Sequence, residues 1–370
     1  LIIVNFLFFS KFCIYNPCFI IVFQMFLVKG DVRPETLGRT LTHEHLSMEF
    51  THFYRKPPQT IADKFNYEFS LDTIGYIRQY PYSSKDNLTL NDKAAKEAVL
   101  RDVQDYKANG GGTIVENTTE GLERDIQFYD YVMTTTGVNI VAGTGHYIAD
   151  MQSANNLHSS LEDLYDHMFA ELRTACVDYP SVRAGFIGEI ASVWPIRDFE
   201  RKAIQAAGEV QAQVGCGVSF HPHRVAEAPF EIVRLYLEAG GKVDKVVMSH
   251  LDRTLLDRAK LLEFSELGTY CQFDLFGTEV SYYQLNIDTD MPSDAQRLNM
   301  ICSLLEDEKE EKILMSHDIH TKHRLIDYGG HGYSHILTNV IPRMKTKGIS
   351  KEVIDKITIK NPAEWLSIPI

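Results

Sequence analysis

The chain has 370 residues, of which 44% are hydrophobic and 24% charged, the balance of an ordinary globular protein. A formal charge of −13 argues against nucleic acid or an anionic membrane as partner, because both select basic faces. Six cysteines (Cys13, Cys18, Cys176, Cys216, Cys271 and Cys302) lie far apart without a CxxC pair, which reads as reduced thiols of a cytoplasmic protein and not as a zinc knuckle.

In chain order, residues 1–28 come first, strongly apolar but split into two runs by Lys11, Asn16 and Pro17. Each run is shorter than the roughly 20 residues a spanning helix needs. This segment is expected to be upstream translation or a leader, with Met25 as a start, and residues 29–370 to form the folded domain. From residue 37 onward, short apolar runs alternate with stretches of helical period. The runs read as buried strands at Gly38–His45, Thr113–Thr118, Val138–Gly143, Ala184–Ile190, Gly217–His221, Lys245–Leu251, Thr269–Asp274 and Lys312–Asp318. Helices are predicted over Asn91–Ala108, Glu123–Thr136, Leu161–Tyr179, Asp198–Val214, Ala228–Ala239, Thr254–Leu267, Asp294–Glu310 and Ser334–Lys347, with one more at the C-terminal end. Gly137, Gly215, Gly240 and Gly268 follow four of them, the usual punctuation of αβ units.

Eight strands alternating with helices suit a single-domain (β/α)₈ TIM barrel or a doubly wound open sheet. The strand ends decide between them. Four runs finish in metal-binding types: Thr-Leu-Thr-His43-Glu-His45, Val-Ser-Phe-His221, Val-Val-Met-Ser-His250 and Ile-Leu-Met-Ser-His-Asp318. First and last strands are neighbours only in a closed barrel, so a barrel lets His43, His45 and Asp318 meet. The long segments 46–90, 275–293 and 319–333 follow strand ends and should wall the pocket.

Period two puts His43 and His45 on one face and sends Glu44 outward into the helix layer. Glu189, at the end of the fourth run, is a buried carboxylate, costly unless paired or metal-bound. Together the set offers four imidazoles (His43, His45, His221, His250) and two carboxylates (Glu189, Asp318), enough for two divalent cations. His146 and His317 read as packing side chains. His223, beyond Pro222, reads as no ligand. Tyr147 and Arg253 lie where substrate contact is expected, as do His320 and Lys322 in the loop after the eighth strand.

These residues, with Gly110-Gly-Gly-Thr-Ile-Val-Glu-Asn-Thr-Thr119, Met248-Ser-His-Leu-Asp-Arg-Thr254 and Tyr328-Gly-Gly-His-Gly-Tyr-Ser-His-Ile336, resemble the phosphotriesterase-related proteins of the amidohydrolase superfamily. The resemblance implies that His43, His45 and Asp318 hold a buried metal and that His221 and His250 hold a more exposed one. Glu189 would bridge them, and Asp318 would take the proton from the attacking water. Two divalent cations are implied, with zinc preferred over manganese, cobalt and iron, as is a homodimer acting on a small molecule. Hydrolysis of an N-acyl amino acid such as N-acetyltaurine ranks first, lactone or carboxyl-ester hydrolysis second and phosphotriester hydrolysis third. A catalytically silent barrel with a binding role is the reading from another class; it would ordinarily have lost one of the six chelating positions. One departure stands out. Phosphotriesterases bridge with a carboxylated lysine, whereas Glu189 is a permanent carboxylate that needs no bicarbonate.

Overall fold

In the computed structural model, which describes residues 23–65, 69–280 and 282–369, the chain enters through a hairpin of β1 (Phe23–Leu27) and β2 (Gly30–Val32). Then come β3 (Arg39–Glu44), β4 (Gly111–Glu116), β5 (Asn139–Thr144), β6 (Phe186–Ala191) and β7 (Val218–His221). They are followed by β8 (Val246–Met248), β9 (Tyr270–Phe273), β10 (Ile313–Met315) and the short β11 (Ile368–Pro369). Strands β3 to β10 pair in parallel, each beside the next in sequence, with helices between them. This is the expected (β/α)₈ barrel, single and continuous.

Closure between β10 and β3 runs through individual bonds. The Asp318 N–H donates to the His43 carbonyl at 3.1 Å, and the His43 N–H donates to Ser316 Oγ at 3.0 Å. Glu44 points outward as expected, and its carboxylate is the clasp. Oε1 accepts from Ser316 Oγ at 2.7 Å, His317 N at 2.9 Å and His317 Nδ1 at 2.8 Å, while Oε2 accepts from Ile319 N at 2.9 Å. His317 is thereby turned into the helix layer, away from the barrel axis.

The opposite end of the barrel is shut by the β1–β2 hairpin and the segment leading to β11. β1 pairs antiparallel with both β2 and β11, and Met25, Leu27, Trp365 and Leu366 pack under Val115, Val141, Phe186 and Val247. Trp365 is fully buried and donates its Nε1–H to the Lys245 carbonyl at 3.1 Å. The boundary expected at residue 28 therefore shifts. Residues 23–28 belong to the packed body, because Met25 to Val28 are buried against the barrel floor. Residues 1–22 lie outside the described residues.

Helix starts follow the hydrophobic period, but the stretches expected to reach Tyr179 and Glu310 stop at Arg173 and Glu306, and two others depart for physical reasons. The stretch Thr254–Leu267 divides into Leu251–Thr254 and Arg258–Ser265, where Asp257 caps the second helix by accepting from Lys260 N at 2.9 Å. Ser334–Lys347 becomes a π-helical turn, Ile336–Val340, leading into Ile341–Thr346. Pro342 has no N–H for the α ladder, and the wider turn accommodates its ring.

Two outcomes follow from this packing. Glu44→Gln turns an amide NH₂ toward groups that are themselves donors, so a loss of about 3 kcal/mol is expected in chemical denaturation. An unchanged midpoint would refute the clasp. Asp102 accepts from Ile326 N at 3.1 Å, yet burial and the neighbouring Asp327 and Asp105 push its carboxyl up to about 7. The folded state thus holds this proton more tightly than the unfolded chain, and stability falls as pH rises from about 4 through about 7. Asp102→Asn is therefore expected to raise Tm more at about pH 8 than at about pH 5, as read by calorimetry.

Candidate metal centre

The open end of the barrel gathers all six expected ligands. His43, His45 and Glu189 each place a ligand atom within 4.8 Å of one another, and so do Glu189, His221 and His250. Glu189 belongs to both groups. Its Oε1 contacts His221 Nδ1 and lies 3.3 Å from His250 Nε2 and 3.5 Å from His43 Nε2. Asp318 Oδ1 lies 3.2 Å from His45 Nε2 and 3.6 Å from His43 Nε2.

Two of these residues reach the site in an unexpected way. His250 and Asp318 sit beyond the last paired residues of β8 and β10, with φ of 59° and 54°. Non-glycine residues rarely adopt this left-handed region, and the strain is typical of functional positions. It turns both side chains inward once the ladder has stopped.

Three of the four imidazoles are fixed from behind. Asp274 accepts from His250 Nδ1 at 2.7 Å and lies 3.2 Å from His43 Nδ1. With Nδ1 directed at Asp274, each Nε2 faces Glu189 and would be the nitrogen offered to a cation. His45 Nδ1 meets Thr118 Oγ1 at 3.0 Å, whose hydroxyl donates onward to Glu116 at 2.6 Å. Asp274 was not foreseen, although Gln272-Phe-Asp274 ends the seventh run just as the ligand motifs end theirs. Gln272 joins it, donating to Asp274 at 2.9 Å.

The electrostatics ask for cations. Burial alone would raise the Glu189 and Asp318 carboxyls, yet both are held well below the usual range, Glu189 by His221 and His43 and Asp318 by His320. Asp274 is lowered likewise, against its burial, by His250 and His43. Burial would lower His43, but Glu189, Asp274 and Asp318 push it up to about 10. Burial brings His221 down to about 3, with His250 and Arg253 adding to the effect against Glu189. Moreover, His43 Nε2 is buried without a hydrogen-bond partner. Converging imidazoles, ionised carboxylates and an orphaned nitrogen fit divalent metal ions such as zinc, manganese, cobalt or iron.

Above the cluster opens a cleft of about 670 Å³. Tyr147, Arg253 and His320 line it, as expected. His320 Nδ1 lies 3.2 Å from Asp318 Oδ2, and its Nε2 lies 3.2 Å from the Tyr82 hydroxyl. Lys322 is a correction. Its ammonium turns away from the cleft to pair with Asp86 at 2.7 Å and with Asp92, tying two loops together. A buried cation takes the nearest carboxylates. Arg224, Tyr283 and Arg324 also line the cleft; they come from irregular segments that carry no periodic signal. His146 packs against Phe199, and His223 receives the Val225 N–H at 3.3 Å; neither enters the ligand set.

The sequence profile of the phosphotriesterase family matches residues 24–366. The chain belongs to the phosphotriesterase family. Phosphotriesterase-related proteins of Drosophila yakuba and Drosophila melanogaster are each 53% identical over 341 residues, covering 92% of this chain and 97% of theirs. A resiniferatoxin-binding protein from Rhodobacter sphaeroides is 26% identical with a TM-score of 0.87, covering 93% of this chain and 94% of its own. The phosphotriesterase homology protein of Escherichia coli, solved with phosphate in its active site, is 26% identical with a TM-score of 0.73, covering 90% of this chain and 99% of its own. Family membership makes the chain a metal-dependent hydrolase of small molecules. No helix among the described residues is long and apolar enough to cross a membrane.

If Asp274 orients two ligands, Asp274→Asn should weaken metal binding by about 10- to 100-fold in chelator competition. Retention equal to that of the native protein would remove Asp274 from the centre.

Proposed function

We propose that the chain is a binuclear hydrolase that cleaves the amide bond of small N-acyl amino acids, N-acetyltaurine among them. The observation that carries this reading is the composition of the cleft, with an acidic imidazole–carboxylate floor beneath walls bearing Arg224, Arg253 and Arg324. A cation-binding floor suits attack on a carbonyl, and guanidinium walls suit an anionic substrate.

In this reading His43, His45 and Asp318 hold one cation, His221 and His250 hold the other, and Glu189 lies between them. When bound, a pair of divalent ions such as zinc polarises a carbonyl and brings the pKa of water toward neutrality. The protein groups do the rest. Asp318, kept ionised, accepts the proton of the attacking water. His320, 3.2 Å from Asp318 Oδ2 and steadied by the Tyr82 hydroxyl, relays that proton to the amide nitrogen, which leaves as the amine when the C–N bond breaks. Tyr147 packs edge-on to His221 with ring centroids 5.3 Å apart and excludes water from that side. The same attack would serve lactones and carboxyl esters, the second reading. The scattered free thiols Cys176, Cys216, Cys271 and Cys302 suit the cytoplasm.

The test is a hydrolysis screen of N-acyl amino acids, lactones and aryl phosphotriesters. N-Acyl amino acids are expected to lead, with His43→Ala and Asp318→Asn losing at least about 100-fold. Metal-stripped protein should recover with zinc alone, since Glu189 needs no carboxylation. Activity surviving both substitutions, or recovery that requires bicarbonate, would overturn the site assignment.

A further inference from the structure

Two arginines packed beneath the surface elsewhere in the fold face carboxylates. Arg297 donates to Asp252 at 2.8 Å and Asp294 at 3.0 Å, and Arg124 donates to Glu171 at 2.7 Å and Asp178 at 2.6 Å. The cleft breaks this pattern. Arg253 is only 3% exposed, yet its Nη1 has no hydrogen-bond partner, and its Nη2 meets only His221 Nε2, at 3.1 Å. Arg224 donates through Nε at 3.2 Å and Nη2 at 3.0 Å to one oxygen, the Tyr283 hydroxyl. Among the described residues, neither guanidinium forms an ion pair with a carboxylate. A buried cation without an anion is costly, and Arg253 shares its cleft with a half-buried Arg224 that lacks one too.

Their positions say what would complete them. Arg224, Arg253 and Tyr283 all line the same cleft. Burial alone would raise the Tyr283 phenol, but Arg224 and Arg253 hold it below its ordinary range, so this wall has a strongly positive potential. Nothing comparable exists on the floor, where carboxylates dominate. A planar guanidinium fork matches a carboxylate or sulfonate in two-point contact.

We propose that Arg224, Arg253 and Tyr283 form a subsite that reads a carboxylate or sulfonate carried on a short spacer from the scissile bond. The spacer must be short because Arg253 touches His221 with one nitrogen and offers the other to the ligand. The anion is therefore one hydrogen bond away from a residue that itself contacts a candidate metal ligand, and only α- or β-amino acid spacing fits. The inference rests on the amide reading for the identity of the scissile bond, but its charge selectivity stands on the arginines alone.

Calorimetry on zinc-loaded Asp318→Asn protein, which slows turnover, tests it with four probes: N-acetylglycine, N-acetyltaurine, neutral N-acetylglycinamide and long-spaced 6-acetamidohexanoate. The two short anions are expected to bind at least about 10-fold tighter than the other two. Adding Arg253→Gln or Arg224→Gln should reduce that preference to below about 3-fold, with unchanged circular dichroism. Because Arg253 touches His221, the Arg224 variant keeps the result interpretable if zinc is lost from the other. Equal binding of the neutral amide, or a preference that survives both substitutions, overturns the subsite. The ratio of glycine to taurine conjugate assigns the head group. Anion preference without hydrolysis of any amide by the native protein would sink the amide reading and leave the subsite standing; amide hydrolysis indifferent to charge would do the reverse.

Discussion

The carboxylate of Glu44 holds the first and last barrel strands together, and the centre depends on it. Backbone ladders stop where the strands meet the loops, so the N–H groups just beyond have no strand partner, and burial forbids leaving them bare. Glu44 supplies the missing acceptors for Ser316, His317 and Ile319, thereby fixing the backbone on both sides of Asp318. Other strand ends use the same device. Glu116 accepts from Leu46 N and Thr118 N, each at 3.0 Å, and Asp252 accepts from Leu275 N at 3.0 Å. Glu44, Glu116 and Asp252 thus hold backbone, while Glu189 and Asp318 face imidazoles and Asp274 does both, accepting from His250 N at 3.0 Å as well as from its ring.

That division explains the energetics of the inner layer. Glu189, Asp274 and Asp318 are acids buried together, and their mutual repulsion is relieved only partly by the imidazoles between them. Without further positive charge such a cluster is a liability of several kcal/mol. Cation binding is thus coupled to the stability of the open end, while the floor, sealed by Trp365 and the β1–β11 pairing, is held by apolar packing and strand pairing without buried acids. The two ends of one barrel are built on different physics.

The sequence made much of this legible because both signals are local. Period-two spacing placed His43 and His45 on one face and Glu44 on the other, and apolar runs ending in chelating types marked the ligand positions. The rest depended on distance. The pairing of β1 with β11 joins the two ends of the chain, so Met25–Val28 look like any apolar leader until Trp365 is set beneath them. Lys322 reads as a substrate clamp only while Asp86 and Asp92 are remote in sequence. The left-handed turns at His250 and Asp318 are set by closure and by strand-end hydrogen bonds, with no glycine to announce them. Asp274 is different: its run ends in plain sight, but a single aspartate ending a run is a weak sign without the histidines it faces.

His221 marks the seam between the two halves of the cleft. Its Nδ1 meets the Glu189 carboxylate, and its Nε2 meets the Arg253 guanidinium at 3.1 Å. One imidazole thus separates an acidic floor from a basic wall. A substrate of the proposed kind would be aligned by this gradient before any chemistry, its anionic end drawn to the wall and its carbonyl left over the floor. Orientation of this kind lowers the entropic part of the barrier. It also penalises neutral substrates, which would leave Arg253 desolvated and unpaired. The same arrangement that positions the bond therefore sets the selectivity, through a cost imposed on the wrong ligand as much as a gain for the right one.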